Sequence, residues 1–124
     1  LAPGRGENTG DGWETARRRT PGNEWIIIRL ASLGVIHRLD VDTAHFKGNF
    51  PAGCSLQAGL EPALKKEALV AQSMFWKEVL HYQPLAADFI HSFNLTSSGL
   101  VSHVKLNIYP DGGVSRVRVF GQPK

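Results

Sequence analysis

The chain has 124 residues, 42% of them hydrophobic and 20% charged, which excludes a disordered chain and fits one globular domain. Its formal net charge of +3 is too small to indicate nucleic-acid binding, but it is compatible with a small anionic ligand. The longest apolar stretch, WIIIRLA, is interrupted by Arg29 and is far shorter than the ~20 residues of a membrane span.

The N-terminal part of the chain is predicted to contain an arm and two strands. Residues 1–12 carry four glycines and a proline and are interpreted as a linker or arm, with residues 13–124 forming the domain. The β-branched run at 24–30 predicts a buried strand. A second strand is predicted at 35–46, where alternation places Val35, His37, Leu39, Val41 and Thr43 on one face and Asp40 and Asp42 on the other.

The middle of the chain gives weaker patterns. Residues 54–60 predict a third strand, with Ser55 and Gln57 opposite Leu56 and Ala58. Residues 61–80 contain good helix formers with only approximate helical spacing, so we predict a partly helical segment. Residues 88–95 have the composition of a strand.

The C-terminal part shows the clearest local pattern. In the run 101–109, Val104, Leu106 and Ile108 alternate with polar residues, and after the letters PDGG, Val117 and Val119 alternate with arginines. Two alternating runs around such a turn predict a β-hairpin whose apolar face lies in the core. Several short strands separated by turns favour an all-β, antiparallel β-sandwich.

The letters DVDTAHFKGNFP, residues 40–51, place four kinds of polar group where a strand ends. His45 can transfer protons near neutral pH, and Asp42 can fix an imidazole tautomer if the chain bends between them. Lys47 offers a cation, and Asn49 offers both a donor and an acceptor. Two interpretations stay open: a functional site, or a polar loop in which Asp42 caps a turn.

The letters GWETARRRTPG, residues 12–22, form a second polar constellation. A guanidinium group can hold a carboxylate or a ureido oxygen through paired hydrogen bonds, but at most two of the three consecutive arginines at 17–19 can line one pocket. Glu14 could orient one of those arginines or act on a proton. From these residues alone, a solvated basic loop is the simpler interpretation.

Other catalytic signatures are missing from the sequence. The histidines have neither HxH nor HExxH spacing and Cys54 is the single cysteine, so the sequence indicates no metal site or cofactor. A nucleophilic serine would need a GxSxG-like turn, which is also absent. The lone cysteine permits no internal disulfide and fits an intracellular, reducing compartment.

Three long blocks together resemble allantoicase, the allantoate amidinohydrolase of purine breakdown. They are GDGWETARRRTPGNEWIIIRL, DVDTAHFKGNFP and SHVKLNIYPDGGVSRVRVFG, which lie in the family's order and make up 53 of the 124 residues. The resemblance implies one of two homologous repeats, each a β-sandwich of the galactose-binding, jelly-roll type. The wording of the last two blocks is similar to the second, C-terminal repeat, whereas Ala16 departs from the longer residue of many relatives.

The resemblance also implies a reaction, the hydrolysis of allantoate to ureidoglycolate and urea. As a hypothesis, Arg17 or Arg18 and Lys47 bind the substrate carboxylate, Asn49 binds a ureido group, and His45 with Asp42 or Glu14 performs acid–base chemistry. Family members have been described as metal-assisted, in which case the acid–base residues would be ligands, but we prefer a metal-free site.

The expected partners are the small-molecule substrate, the other repeat of the same chain and further copies in a homo-oligomer, without nucleic acid or membrane. The expected location is cytoplasmic or peroxisomal. A rival interpretation is a non-catalytic binding or structural repeat on the same kind of sandwich. The acid–base content at 42–45 argues against it, because a pure binding face could dispense with His45 and Asp42.

Overall fold

The computed structural model describes the backbone of residues 15–20, 23–44, 51–97, 99–110 and 114–124, and the side chains of these ranges except 15–20 and 23. These ranges contain seven strands and one helix, and every strand pair is antiparallel. In chain order they are β1 (Thr15–Thr20), β2 (Asn23–Asp42), β3 (Gly53–Gly59), α1 (Lys66–Ser73), β4 (Lys77–Pro84), β5 (Ile90–Asn94), β6 (Leu100–Tyr109) and β7 (Arg116–Pro123).

The 20-residue strand β2 belongs to two layers. Its first part lies in a large layer of order β1-β2-β6-β3-β4, and its second part lies between β5 and β7 in a small layer. Pairing with β6 is irregular between Arg29 and Gly34, where the strand passes from one layer to the other. The prediction of separate strands at 24–30 and 35–46 is therefore wrong, because the two runs form one strand.

The main core lies between the two layers. It joins side chains such as Leu56 and Leu106 of the large layer to Leu39, Val41 and Val119 of the small layer, all at most 1% exposed. The predicted antiparallel β-sandwich is confirmed, and it follows from the period-2 alternation of β6 and β7.

The predicted inward face of β2 is wrong at residues 35–37, where the strand enters the small layer. Val35 is 40% exposed and His37 is exposed, whereas Ile36 is 1% exposed and lies in the core. The pairing of β2 with β7 shifts register between Ile36 and Arg38. Such an irregularity moves the alternation by one residue, so that Ile36 and then Leu39 face inward.

The predicted C-terminal hairpin is also wrong in its pairing. In the described part of the chain, β6 pairs with β2 and β3, whereas β7 pairs with the second half of β2. The turn residues 111–113 lie outside the described residues. The predicted faces are nevertheless correct, since Val104, Leu106, Ile108 and Val119 are buried and Val117 is half-buried.

The segment 61–80 is helical only over α1, because residues 77–80 begin the unpredicted strand β4. Leu69 of α1 packs with Trp25, Ile27 and Trp76 in a second apolar cluster. This cluster lies on the other face of the large layer, since Trp25 and Ile27 alternate with the core residue Ile28. The helix covers apolar surface that the sandwich core leaves exposed.

Candidate functional site

Several strand ends meet where β2 stops, and hydrogen bonds join them. The hydroxyl of the fully buried Thr43 donates to the Ala86 carbonyl at 2.7 Å. The Ala52 N–H donates to the Tyr109 carbonyl at 2.8 Å, and the Leu85 N–H donates to the Ala52 carbonyl at 2.9 Å. The ends of β2, β4 and β6 and the start of β3 thus lie together, and we call this the Thr43 end.

His91 of β5 fixes the same region, although the sequence did not mark it as special. Its ring is 8% exposed, and Nε2 accepts the Ala86 N–H at 2.8 Å. Nδ1 therefore carries the proton, which it donates to the Val41 carbonyl at 3.1 Å. Both ring nitrogens are satisfied in the neutral form, so His91 is a structural residue. The sequence could have indicated this burial, because His91 lies two residues from Phe93 and therefore on the same face of β5.

The structure describes one of the predicted site side chains, that of Asp42. Its Oδ1 accepts the Ala44 N–H at 2.8 Å, which is the turn-capping geometry considered as the alternative. Outside the described residues lie Glu14, His45, Lys47 and Asn49. Their proposed convergence with Asp42 stays a prediction.

The segment containing Arg17 and Arg18 is a strand, so the prediction of a basic loop there is wrong. In the β1–β2 register, Arg17 lies opposite Ile26 and Arg18 opposite Trp25. Side chains of β1 are not among the described ones. Since the structure describes only the backbone of β1, the role of both arginines in substrate binding stays a prediction.

A cleft lies beside Asp42 on the outer face of the small layer. Its lining residues are Asp40, Asp42, Ile90, Arg116 and Arg118. In the β2–β7 register, Asp40 stands opposite Arg118 and Asp42 opposite Arg116. The cleft has a volume of about 80 Å³, room for roughly three water molecules. Acids and bases therefore alternate across a small, open depression.

Asp40 is held in a fixed position within this cleft. Its Oδ1 accepts the Ser92 hydroxyl at 2.7 Å and lies 3.3 Å from Nε of Arg38. The Arg38 guanidinium in turn lies 3.9 Å from the centre of the Phe120 ring. Stacking and ion pairing together orient the carboxylate, as is typical for an arginine between an aromatic ring and an acid.

A polar network lies beneath α1 on the large layer. Lys105 places Nζ 4.8 Å from the Trp25 ring centre and donates to the Ser73 hydroxyl at 3.2 Å. Desolvation lowers the pKa of Lys105 below its ordinary value. Gln57 Nε2 donates to the Trp76 carbonyl at 3.1 Å. These contacts join the helix and the segment after it to the sheet, which is a structural role.

A larger cleft of about 240 Å³ lies at the opposite end of β6, where β2 changes layer. Arg29 is the single charged side chain among its lining residues, and the others include Leu30, Leu33 and Pro62. This cleft offers no acid–base pair. The cleft beside Asp42 is therefore the stronger candidate for chemistry.

Cys54 is buried and is the chain's single thiol. Burial raises the pKa of Cys54 to about 12, so its thiol stays protonated and is a poor nucleophile. In the described ranges, no three His, Cys, Asp or Glu residues come close enough to hold a metal ion. Of the possible ligands His45, Asp42 and Glu14, Asp42 alone is described, and it caps a turn. In these ranges no helix is long and apolar enough to cross a membrane.

Solved structures with the same architecture define the class of the domain. An F5/8 type C domain from Bacteroides fragilis matches with a TM-score of 0.65 at 11% identity, covering 98% of this chain and 100% of that one. The allantoicase of Saccharomyces cerevisiae matches with a TM-score of 0.67 at 40% identity, covering 98% of this chain and 35% of that one. The fold is thus a galactose-binding-like β-sandwich, as the resemblance implied.

The sequence profile named Allantoicase repeat matches residues 1–124, and the chain belongs to this family. A probable allantoicase of Burkholderia pseudomallei is 58% identical over an alignment of 124 positions, which covers 98% of this chain and 37% of that protein. A probable allantoicase of Photobacterium profundum is 54% identical over 98% of this chain and 37% of that protein. The chain spans little more than a third of these relatives.

Proposed function

We propose that the chain is one repeat of an allantoicase, and that the protein containing it hydrolyses allantoate to ureidoglycolate and urea in allantoin degradation. The observation that supports this most is the family match over all 124 residues. The identity of 58% to a probable allantoicase adds to it. The chain equals 37% of that relative, so the other repeat of the same polypeptide is its expected partner.

The chain is proposed to be the second, C-terminal repeat, on the wording of residues 43–49 and 110–121. A homo-oligomer and an intracellular location belong to the same proposal, and the free thiol of Cys54 fits a reducing compartment. The curated relatives compared above are bacterial, so they give no support to a peroxisomal location.

The proposed reaction breaks a bond between the central carbon of allantoate and one ureido nitrogen. Water supplies the oxygen of the new C–O bond, and the departing urea takes a proton. His45, helped by Asp42 or Glu14, is the proposed proton donor and acceptor. In the described part of the site, the Ala44 N–H binds Oδ1 of Asp42, so Oδ2 keeps acceptor capacity.

The substrate is proposed to be held by groups from separate segments. Its carboxylate needs a cation, for which Arg17 or Arg18 and Lys47 are the candidates. Its ureido groups need amide-like partners, for which Asn49 is the candidate. The hypothesis needs no metal ion.

Urea release from allantoate by the full-length protein tests the proposed function. We expect one urea and one ureidoglycolate for each allantoate consumed, and we expect chelator-treated protein to remain active. Binding of allantoate without any urea release would instead favour the non-catalytic binding repeat. A protein that neither binds allantoate nor releases urea would overturn both the enzyme and the binding-repeat interpretations.

A further inference from the structure

We propose that the cleft lined by Asp40, Asp42, Ile90, Arg116 and Arg118 binds the ureido-acid part of the substrate. Arg116 thereby joins the candidates Arg17, Arg18 and Lys47 as a cation that holds the substrate carboxylate. This inference rests on the proposed function and adds a residue that determines specificity. It follows from a charged, open cleft on the small layer, next to the last residue of β2. None of its basic residues was among the side chains predicted from the sequence.

Arg116 is the cation in this cleft that is available for a ligand. Its side chain is exposed, and in the described part of the chain no carboxylate forms an ion pair with it. It nevertheless stands directly opposite Asp42 in the β2–β7 register. A guanidinium group in this state can form two parallel hydrogen bonds with a carboxylate.

The two acids of the cleft supply acceptors beside that cation. The hydrogen bonds that described residues make to Asp40 and Asp42 end on Oδ1 of each. Each Oδ2 therefore keeps acceptor capacity for an N–H group. Ser92 and Arg38 fix Asp40, and the turn at Ala44 fixes Asp42, so both acceptors are positioned before a ligand arrives.

The alternation of charge selects the class of ligand. A simple anion would be repelled by Asp40 and Asp42, and a simple cation by Arg116 and Arg118. A ureido acid carries a carboxylate and several N–H donors a few bonds apart, so it matches a cation and an acceptor on neighbouring strands. Such strands lie about 5 Å apart.

The size of the cleft fits a small ligand. Its volume of about 80 Å³ corresponds to roughly three waters, which suits one arm of a small ligand. Ile90 is 60% exposed and forms an apolar wall against which a ureido plane can lie. A larger ligand such as an oligosaccharide would extend beyond these lining residues.

The test compares the Arg116→Gln, Arg116→Lys and Lys66→Gln variants of the full-length protein. Lys66 is an exposed helical cation outside the cleft and serves as the matched control. Loss of a charged hydrogen-bonding partner should raise KM for allantoate roughly 10- to 100-fold in Arg116→Gln. Arg116→Lys should recover part of that loss, while Lys66→Gln should keep the wild-type KM and all variants the wild-type thermal midpoint.

A binding measurement separates this inference from the proposed function. Hydantoate carries one carboxylate and one ureido group, and methylenediurea carries two ureido groups without a carboxylate. By calorimetry on the full-length protein, Arg116→Gln should weaken hydantoate binding at least 10-fold and leave methylenediurea binding unchanged. A wild-type protein that releases no urea but shows this pattern would overturn the proposed function alone. Equal hydantoate affinity in wild type and Arg116→Gln, or no hydantoate binding by either, would overturn the inference.

Discussion

At the residue scale, the buried polar side chains of Thr43 and His91 hold the Thr43 end through hydrogen bonds. The Thr43 hydroxyl donates to the Ala86 carbonyl and accepts the Phe89 N–H at 3.1 Å. His91 then binds the N–H of the same Ala86. A loop fixed through both polar groups of one residue has few alternative positions, which suits the edge of a binding site.

Replacing Thr43 tests this arrangement. Thr43→Val keeps the shape but leaves the Ala86 carbonyl and the Phe89 N–H without their partner, at a cost of about 1–3 kcal/mol in unfolding free energy. Thr43→Ser keeps the hydroxyl and loses one methyl group, at a cost of about 0.8 kcal/mol. Urea unfolding followed by circular dichroism measures both, and a serine variant less stable than the valine variant would contradict this account.

His45→Ala in the full-length protein should reduce turnover far more than folding stability. Urea is a poor leaving group unless its nitrogen is protonated, and a positioned acid–base group is typically worth ~100- to 10,000-fold in rate. Thermal midpoint and urea production should be measured on the same preparation. His81→Ala is the control, because His81 is exposed and contacts Glu78 at the surface.

Two results would remove His45 from the mechanism. One is a stable His45→Ala variant with near wild-type turnover, which would move the acid–base role to Glu14 and Asp42. The other is an early-melting variant that keeps its specific activity, which would make His45 structural.

The candidate site illustrates what residue identity predicts and what it leaves open. The sequence marked Asp42 because acids, amides and imidazoles cluster after a strand, and Asp42 does border a charged cleft. It did not suggest Arg116, the residue of the proposed carboxylate site, because in an alternating strand an outward arginine looks like any solvated surface residue. The opposite charge lies on β2, far away in sequence, and only the register of β7 brings the two together.

At the element scale, the alternation of apolar residues predicted the buried face of a strand better than it predicted which strands pair. The inward positions of β6 and β7 were correct, because burial of alternate residues depends on each strand alone. Their mutual pairing was wrong, because the choice of partner depends on β2, which offers each of them a separate half. The β2 irregularity at Ile36 was also missed, although Gly34 lies two residues before it and a glycine inside a strand often marks a bulge.

Gly121 provides a test of that irregularity. It lies opposite Ile36, and a Cβ atom there would come within 2.2 Å of the Val35 carbonyl oxygen and 2.8 Å of the Ile36 Cα. Since both contacts are to backbone, Gly121→Ala must displace a strand, at about 1–3 kcal/mol. Gln122→Ala is the neighbouring exposed control. Equal denaturation midpoints for both variants would show that the close approach is absent.

At the scale of the whole molecule, one apolar core connects both layers, so they should unfold together. Leu106 is 1% exposed in this core, and Leu106→Ala should lower the unfolding free energy by about 2–5 kcal/mol. Phe75→Ala is the control, because Phe75 is 73% exposed.

For Leu106→Ala, the unfolding midpoints measured by two spectroscopic probes should be compared. Far-ultraviolet circular dichroism reports on the strands, and tryptophan fluorescence reports on Trp13 together with Trp25 and Trp76 of the second cluster. Both should give one shifted midpoint. Separate transitions would show that the layers are independent.

The position of β7 in the chain has a consequence for the order of synthesis. While the ribosome is still making residues 114–124, Leu39 and Val41 have β5 beside them but lack β7 on the other edge. An unpaired apolar strand edge is where nascent chains associate wrongly. The incomplete repeat is therefore prone to wrong association until Val117 and Val119 emerge and β7 closes the small layer.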